Sequence, residues 1–247
     1  MRSTLLSDAH VRSLDDPSQR DLVRFLREWP TDEVVFVGDL VDVWWGWRRA
    51  VFIHTLPLMG ALLDLRDRGV RVTWVRGNHD FEPGSAVREE LGVHVVSRWS
   101  RSTEYARVLA SHGDVPTTRR QALLDRALHS KVTRVAARLA GPDLTWTLID
   151  RASAASRSRH TADKSQLLAA QAAWADVELA DGADVVCLGH SHAPGVERRP
   201  GGGTLVNLGD WVQHRSFAVV DDTNVTLSRW VDGKTTEISG PPSARSR

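Results

Sequence analysis

The sequence predicts an α/β fold in which helices pack on a largely parallel sheet and a second sheet completes a layered sandwich. Three observations carry that expectation. Along the first 114 residues, apolar runs too short to be helices alternate with stretches of helical period. Beyond residue 192 the apolar runs shorten and alternate with polar residues, as antiparallel strands of a second sheet do. Five of the runs end in acids, amides or imidazoles. That places those groups in loops at strand carboxyl ends, where open α/β sheets bind their ligands.

Taken in order, the first run is Thr4-Leu5-Leu6-Ser7, and it leads to Asp8-Ala9-His10. Asp15 or Asp16 can cap a helix that starts at Pro17, since a first-turn proline gives up no needed N–H. Its apolar stripe is Leu22, Phe25, Leu26 and Trp29, and Pro30 ends it. The run Val34 to Val37 opens onto Gly38-Asp39-Leu40-Val41-Asp42, and a helix is expected from Arg48 to Arg68 with Gly69 as its stop. Val70 to Val75 leads to Gly77-Asn78-His79-Asp80, and Glu82 to Leu91 reads as a short helix. Strands follow at Val93 to Val96 and at Tyr105 to Ala110, the latter leading to Ser111-His112-Gly113-Asp114. Asp184 to Leu188 ends in Gly189-His190-Ser191-His192. Strands at Thr204 to Leu208, Ser216 to Val220 and Val225 to Trp230 close the chain before a frayed tail rich in Pro, Ser and Arg.

The rhythm breaks between Asp114 and Asp181. Leu124, Leu128, Val132, Val135 and Leu139 recur at helical spacing until Gly141-Pro142, and further helices are expected near Leu144 to Ala155 and Ala162 to Glu178. The expected division is a core of residues 1–114 and 181–240, a helical cap at 115–180 and a flexible tail at 241–247. Between Val115 and Lys164 ten bases face four acids, so a basic cap sits on an acidic body. A solvated helix face is the plain account of such charge. Attraction of an anion is favoured because the cap lies between two ligand motifs.

Composition sets bounds. A net charge of +1 implies no nucleic-acid partner, and a lone cysteine, Cys187, excludes an internal disulfide and fits a reducing compartment. Cys187 lies in an apolar strand and reads as core. No cleaved signal and no run of roughly 20 apolar residues is evident. A cytoplasmic protein is expected, with a basic cap that permits docking on the inner face of the membrane. Of ten tryptophans, Trp44, Trp45 and Trp47 crowd just past Asp42. They are read as packing of the next helix onto the sheet in preference to an aromatic wall for substrate.

Carboxylates, an amide oxygen and several imidazoles converging from separate strand ends suit Mn²⁺, Fe²⁺ or Zn²⁺. The histidines are too many for a simple Mg²⁺ or Ca²⁺ cage, which prefers oxygen. Seven candidate ligands exceed the need of one ion, so two are inferred. A carboxylate such as Asp39 can bridge ions about 3.5–4 Å apart, which polarise a shared water and hold phosphoryl oxygens. The reaction class is in-line hydrolytic attack on phosphorus. His54, His94, His129, His160 and His214 are read as structural.

Asp8-x-His10, Gly38-Asp39-x-x-Asp42, Gly77-Asn78-His79-Asp80, His112 and Gly189-His190-x-His192 together resemble the motif set of the calcineurin-like metallophosphoesterase superfamily. The resemblance implies a layered α-β-β-α sandwich with an inserted helical cap. It implies one metal held by Asp8, His10, Asp39 and His192 and another by Asp39, Asn78, His112 and His190. His79 would stabilise the phosphoryl oxygens or protonate the leaving oxygen, and Asp42 would orient it. Within the superfamily the chain is most similar to the bacterial UDP-2,3-diacylglucosamine pyrophosphohydrolases, in ligand spacing, length, the helical insertion and Leu208-Gly209-Asp210-Trp211. That implies cleavage of the diphosphate to UMP and 2,3-diacylglucosamine 1-phosphate, with Mn²⁺ the favoured metal and Fe or Zn the alternatives. The stretch Arg151 to Arg159, with Ser156, Arg157 and Lys164, is similar to that family's cap segment in type and position. These residues would contact this lipid-linked nucleotide together with Asn78 and His192. One departure bears on substrate rather than chemistry: His79 stands where the best-known branch has Arg.

Two other readings stay open. A phosphatase or phosphodiesterase acting on nucleotides or other small phosphoesters would keep the chemistry, whereas a nuclease would call for a longer basic track. An inactive scaffold would be expected to have lost ligands, and none is missing.

Overall fold

The computed structural model describes residues 1–47, 50–147 and 164–239. The first strand, β1 (Ser3–Leu6), is buried along its whole length. Helix α1 (Pro17–Glu28) follows, with Asp16 accepting from Ser18 N at its start. Next are β2 (Glu33–Val37), a two-residue β3 (Trp44–Trp45) and α2 (Leu56–Asp67). Then come β4 (Arg71–Val75), β5 (Asp80–Glu82), β6 (His94–Val96), β7 (Trp99–Ser102) and β8 (Arg107–Ser111). Helices α3 (Arg119–Leu128), α4 (Lys131–Ala140) and α5 (Lys164–Ala180) occupy the interval before β9 (Val185–Leu188). The last strands are β10 (Gly195–Arg198), β11 (Thr204–Asn207), β12 (Ser216–Val220), β13 (Val225–Val231) and β14 (Lys234–Ser239).

These strands form a seven-stranded sheet in the order β14-β13-β12-β1-β2-β4-β6 and a five-stranded sheet in the order β10-β11-β9-β8-β7. β1, β2, β4 and β6 run parallel, as do β8, β9 and β11. Period-2 alternation assigns the faces of β2: Val34 and Phe36 point out against α1 and α2, while Val35 and Val37 point in. The inward set meets Val108, Ala110, Cys187 and Val206 of the second sheet. The outer face of that sheet packs Val186, Leu188 and Leu205 against Ala172, Trp174 and Ala175 of α5. Four layers result, α-β-β-α, as expected. Cys187 is core, its thiol pushed up to about 12 by burial.

The structure corrects several boundaries. The helix expected from Arg48 begins at Leu56, with Pro57 in its first turn, and β3 instead pairs in parallel with β5 as a small ribbon. The ribbon also claims Glu82, so the expected Glu82–Leu91 helix shrinks to a wide turn at Ala86–Glu90. The stripe from Leu124 to Leu139 is broken in two by Ser130, which caps α4 by accepting from Thr133 N. A helical stretch over 142–147 continues the Leu144 expectation, and its remainder lies outside the described residues, as does the tail at 241–247. The three late strands do not share the second sheet. β11 joins it parallel to β9, whereas β12 pairs antiparallel with β1 and carries β13 and β14 into the first sheet. All five residues of β12 are buried, which a central position satisfies and an edge would not. β7, β10 and β14 were not anticipated; the last hangs on an Asp232-Gly233 turn with both φ positive, a hairpin signal present in the sequence.

Trp211 ties this C-terminal part to α1. It is fully buried, packs 4.9 Å from Phe25 and donates from Nε1 to Ser18 O at 3.0 Å, while its backbone N bonds Ser7 O and Asp8 O. Trp211→Ala is expected to cost about 3–5 kcal/mol in urea denaturation, since it empties a close-packed site and strands an acceptor.

Candidate metal centre

The expected ligands come together at the carboxyl ends of β1, β2, β4, β8 and β9. Asp8 and Asp39 follow adjacent parallel strands, and hydrogen bonds from Asp8 N to Gly38 O and His10 N to Asp39 O lace their loops together. Asp8, His10, Asp39, His190 and His192 all adopt positive φ, between 41° and 63°. Such backbone is strained for non-glycine residues and persists only where the surroundings hold it. Two glycines permit the crowding: a Cβ at Gly189 would overlap Ser7 Oγ, and one at Gly77 would overlap Asp39 Oδ1.

Among the described residues three groups have donor atoms within 4.8 Å of one another, and two of them flank Asp8 and Asp39: Asp8, His10 and His192, and Asp39, His112 and His190. Asn78 Oδ1 lies 3.1 Å from His112 Nε2 and so belongs with the second. Asp39 Oδ2 stands between them, 3.2 Å from His112 Nε2 and 4.0 Å from His10 Nε2. The other oxygens of the two acids are spent on positioning. Asp39 Oδ1 accepts from His79 N, and Asp8 Oδ2 accepts from Ser7 Oγ and His190 N. His112 Nδ1 donates to Val37 O at 2.9 Å, which leaves Nε2 as the donor facing Asp39 and Asn78.

Burial opposes charge on Asp8, yet the imidazoles of His112, His10 and His192 hold its carboxyl well below the usual range. Asp39 is likewise lowered against its burial, by His112, His79 and His10. Burial also works against charge on His10, but Asp42, Asp8 and Asp39 outweigh it and push the imidazolium up to about 10. His112 is raised against its burial by Asp39 and Asp8, whereas burial and His112 bring His190 down to about 4. Protons thus do the neutralising that a cation would do. Asp8 Oδ1, buried and with no hydrogen-bond partner, is a ready anionic donor facing imidazole nitrogens. The set fits divalent ions with mixed nitrogen and oxygen preference.

His79 Nδ1 lies 2.5 Å from the backbone carbonyl of Asp42 and donates to it, turning Nε2 toward Asp39 Oδ2 at 4.0 Å. The Asp42 carboxylate, expected behind His79, faces His10 Nδ1 at 3.5 Å and Arg12 at 3.1 Å and has an oxygen within 4.8 Å of a His79 ring nitrogen. His10, Asp42 and His79 also form a donor group, on the far side of the His10 ring from Asp8. Of the expected substrate residues, Lys164 is exposed at the start of α5, and Arg151, Ser156, Arg157 and Arg159 lie outside the described residues.

Three residues beyond the expected set serve the centre. Asp80 closes the Gly77-Asn78-His79-Asp80 motif: one buried oxygen accepts from Asp39 N, Gly77 N and Trp74 Nε1, and burial together with Asp39 raises its carboxyl to about 7. Arg12 presents a half-exposed guanidinium at the rim, two residues beyond His10, a position on a ligand loop that could have flagged it. Asp210 is buried with Oδ2 4.0 Å from His192 Nδ1 and bonded to His214 Nδ1, a carboxylate behind an imidazole. His214 is thereby structural, as read. His54 and His129 are held by stacking on Phe52 and Phe81, His94 is exposed, and His160 falls outside the described residues. Trp44 packs on Trp74 in the sheet core, while Trp45 stacks on Phe81 in a cluster that Ala137 of α4 and Trp146 join.

Because His10 and His112 hold protons that a cation must displace, metal uptake by metal-free protein is expected to release protons. Apparent affinity should then rise with pH until His10 gives up its proton near pH 10. Calorimetry in buffers of different ionisation enthalpy measures the release; a buffer-independent heat would contradict it.

The family model for calcineurin-like phosphoesterases matches residues 1–194. The UDP-2,3-diacylglucosamine hydrolase of Stenotrophomonas maltophilia (strain R551-3) is 29% identical over 251 residues, covering 92% of this chain and 98% of its own. That of Porphyromonas gingivalis is 25% identical over 267 residues, covering 94% and 99%. Among solved structures, the phosphoesterase Yfce from E. coli is similar with a TM-score of 0.49 at 19% identity, over 97% of each chain. The family match runs from the first residue to just past His192 and so takes in every candidate ligand. On that ground the chain belongs to the calcineurin-like phosphoesterase family, as a metal-dependent hydrolase of phosphoesters.

Proposed function

We propose that the protein cleaves UDP-2,3-diacylglucosamine to UMP and 2,3-diacylglucosamine 1-phosphate at a pair of divalent ions, with Mn²⁺ the preferred metal. One geometric observation carries the chemistry: two donor groups meet at a single oxygen, Asp39 Oδ2. Asp8, His10, Asp39 and His192 would hold one ion, and Asp39, Asn78, His112 and His190 the other. When bound, the ions supply Lewis acidity and activation of the attacking water. The substrate assignment is supported by relatives that bear that name over more than nine-tenths of this chain.

The chain's own residues divide the remaining work. His79 is fixed by its Nδ1–H to the Asp42 carbonyl, so Nε2 faces the site and, in the imidazolium form, carries the proton that passes to the leaving phosphate oxygen. The Asp42 carboxylate steadies His10 and Arg12. Asn78 and His192 also border the substrate. The segment 115–180 acts as a cap whose Arg151, Ser156, Arg157, Arg159 and Lys164 hold the diphosphate and sugar. On α3 and α4, Leu124, Val132, Val135 and Leu139 are all more than half exposed beside Arg126, Lys131 and Arg138. That face suits acyl chains, or the anionic inner surface of the membrane on which a cytoplasmic enzyme would meet its lipid. Among the described residues no helix is long and apolar enough to cross a membrane.

Mass spectrometry of products from UDP-diacylglucosamine, and separately from plain nucleotides, tests the assignment. UMP and lipid sugar phosphate are expected from the first; turnover of nucleotides alone would replace the lipid substrate with a small phosphoester. His79→Ala is expected to keep its metal while kcat falls about 10²–10⁴-fold. Metal loss in that variant would make His79 a ligand. Replacing Arg157 and Lys164 by Ala is expected to raise KM for the UDP-lipid with metal content unchanged, and an unaltered KM would remove the cap from the substrate site.

A further inference from the structure

Gln171 lies midway along α5 and is fully buried against the second sheet. Its side-chain nitrogen donates to two backbone carbonyls, Gly113 O and Gly189 O, each at 2.9 Å. Gly113 directly follows His112, and Gly189 directly precedes His190. Between the same two loops, Gly189 N donates to His112 O at 3.0 Å. One amide from a helix beyond the sheet therefore fastens together the two loops whose imidazoles share a donor group with Asp39.

Packing alone does not account for this residue. A buried amide costs free energy unless it is satisfied, and a leucine would fill similar space without that cost. Here Nε2 is satisfied, but Oε1 is buried without a hydrogen-bond partner, so the residue carries an expense for the sake of its two donors. The backbone makes room for it: a Cβ at Gly113 would come within 2.7 Å of Gln171 Nε2. Among the described residues, α4 and the helical stretch over 142–147 meet the body elsewhere, through Ala137 and Trp146 packed against the cluster of Trp45 and Phe81. α5 touches the metal loops through this amide.

We propose that Gln171 is a positioning residue for the second metal. Its amide sets the separation of the His112 and His190 loops, so seating of α5 and occupancy of that site depend on each other. The inference rests on the two-ion reading of the centre, and the test separates the two. Mn²⁺ is titrated into metal-free wild type and Gln171→Met, which keeps length and loses both donors; Gln171→Leu is the second variant should methionine pack badly. Binding is followed by calorimetry and by the electron paramagnetic resonance of coupled Mn²⁺ pairs. Wild type is expected to take two ions. The variant should melt, metal-free, within a few degrees of wild type and bind its first ion normally. Its second ion should bind about ten-fold or more weakly, with the coupled signal correspondingly delayed. Two ions bound at wild-type affinity overturn the proposal, and so does loss of the metal-free fold in both variants, which would assign the amide to the core. If wild type itself takes a single ion, the two-ion reading fails instead.

Discussion

Asp8 and Asp39 are carboxylates placed where almost no solvent reaches, at the ends of neighbouring parallel strands. Removing an ion from water is costly unless opposite charge or hydrogen bonds replace the solvent, and much of the surrounding structure serves as that replacement. Imidazoles converge on both acids from loops far apart in sequence. Backbone N–H groups of His79 and His190 are aimed at them, the latter from a residue held in an unfavourable left-handed conformation. The requirement reaches outward: Asp80 exists to bind the strand ends that present Asp39 and Asn78, and Asp210 stands behind His192.

What the sequence discloses about such a centre follows from how local the chemistry is. A candidate ligand and the apolar strand that carries it are contiguous, so Asp8, His10, Asp39, Asn78, His112, His190 and His192 could be picked out as candidates from order and type alone. The layered architecture was legible for the same reason, because period 2 and period 3.6 are local properties. Pairing between distant strands is not local. Nothing within Thr204 to Trp230 tells that β11 lies beside β9 while β12 lies beside β1. Nor could residue type tell that Asp42 meets His79 through its carbonyl. Gln171 was invisible because an amide in an alanine-rich helix looks like solvent-facing filler until the opposing carbonyls are seen.

The helices between β8 and β9 touch the body with unequal parts of themselves. Trp45, Phe81 and Trp146 make an aromatic contact on one side, and α5 lies along the second sheet on the other. Between these contacts α3 and α4 leave their apolar stripe in solvent. A protein surface rarely tolerates such a stripe without a use for it.

The pairing of β1 with β12 joins Ser3 to Val220, nearly opposite ends of the described chain. During translation at about 5–20 residues per second, the opening strand has to wait roughly 10–40 s before its antiparallel neighbour leaves the ribosome. Over that interval an apolar strand presents a bare edge to whatever nascent chains or chaperones lie nearby. That exposure is a liability of synthesis, quite apart from how firmly the finished molecule holds its shape.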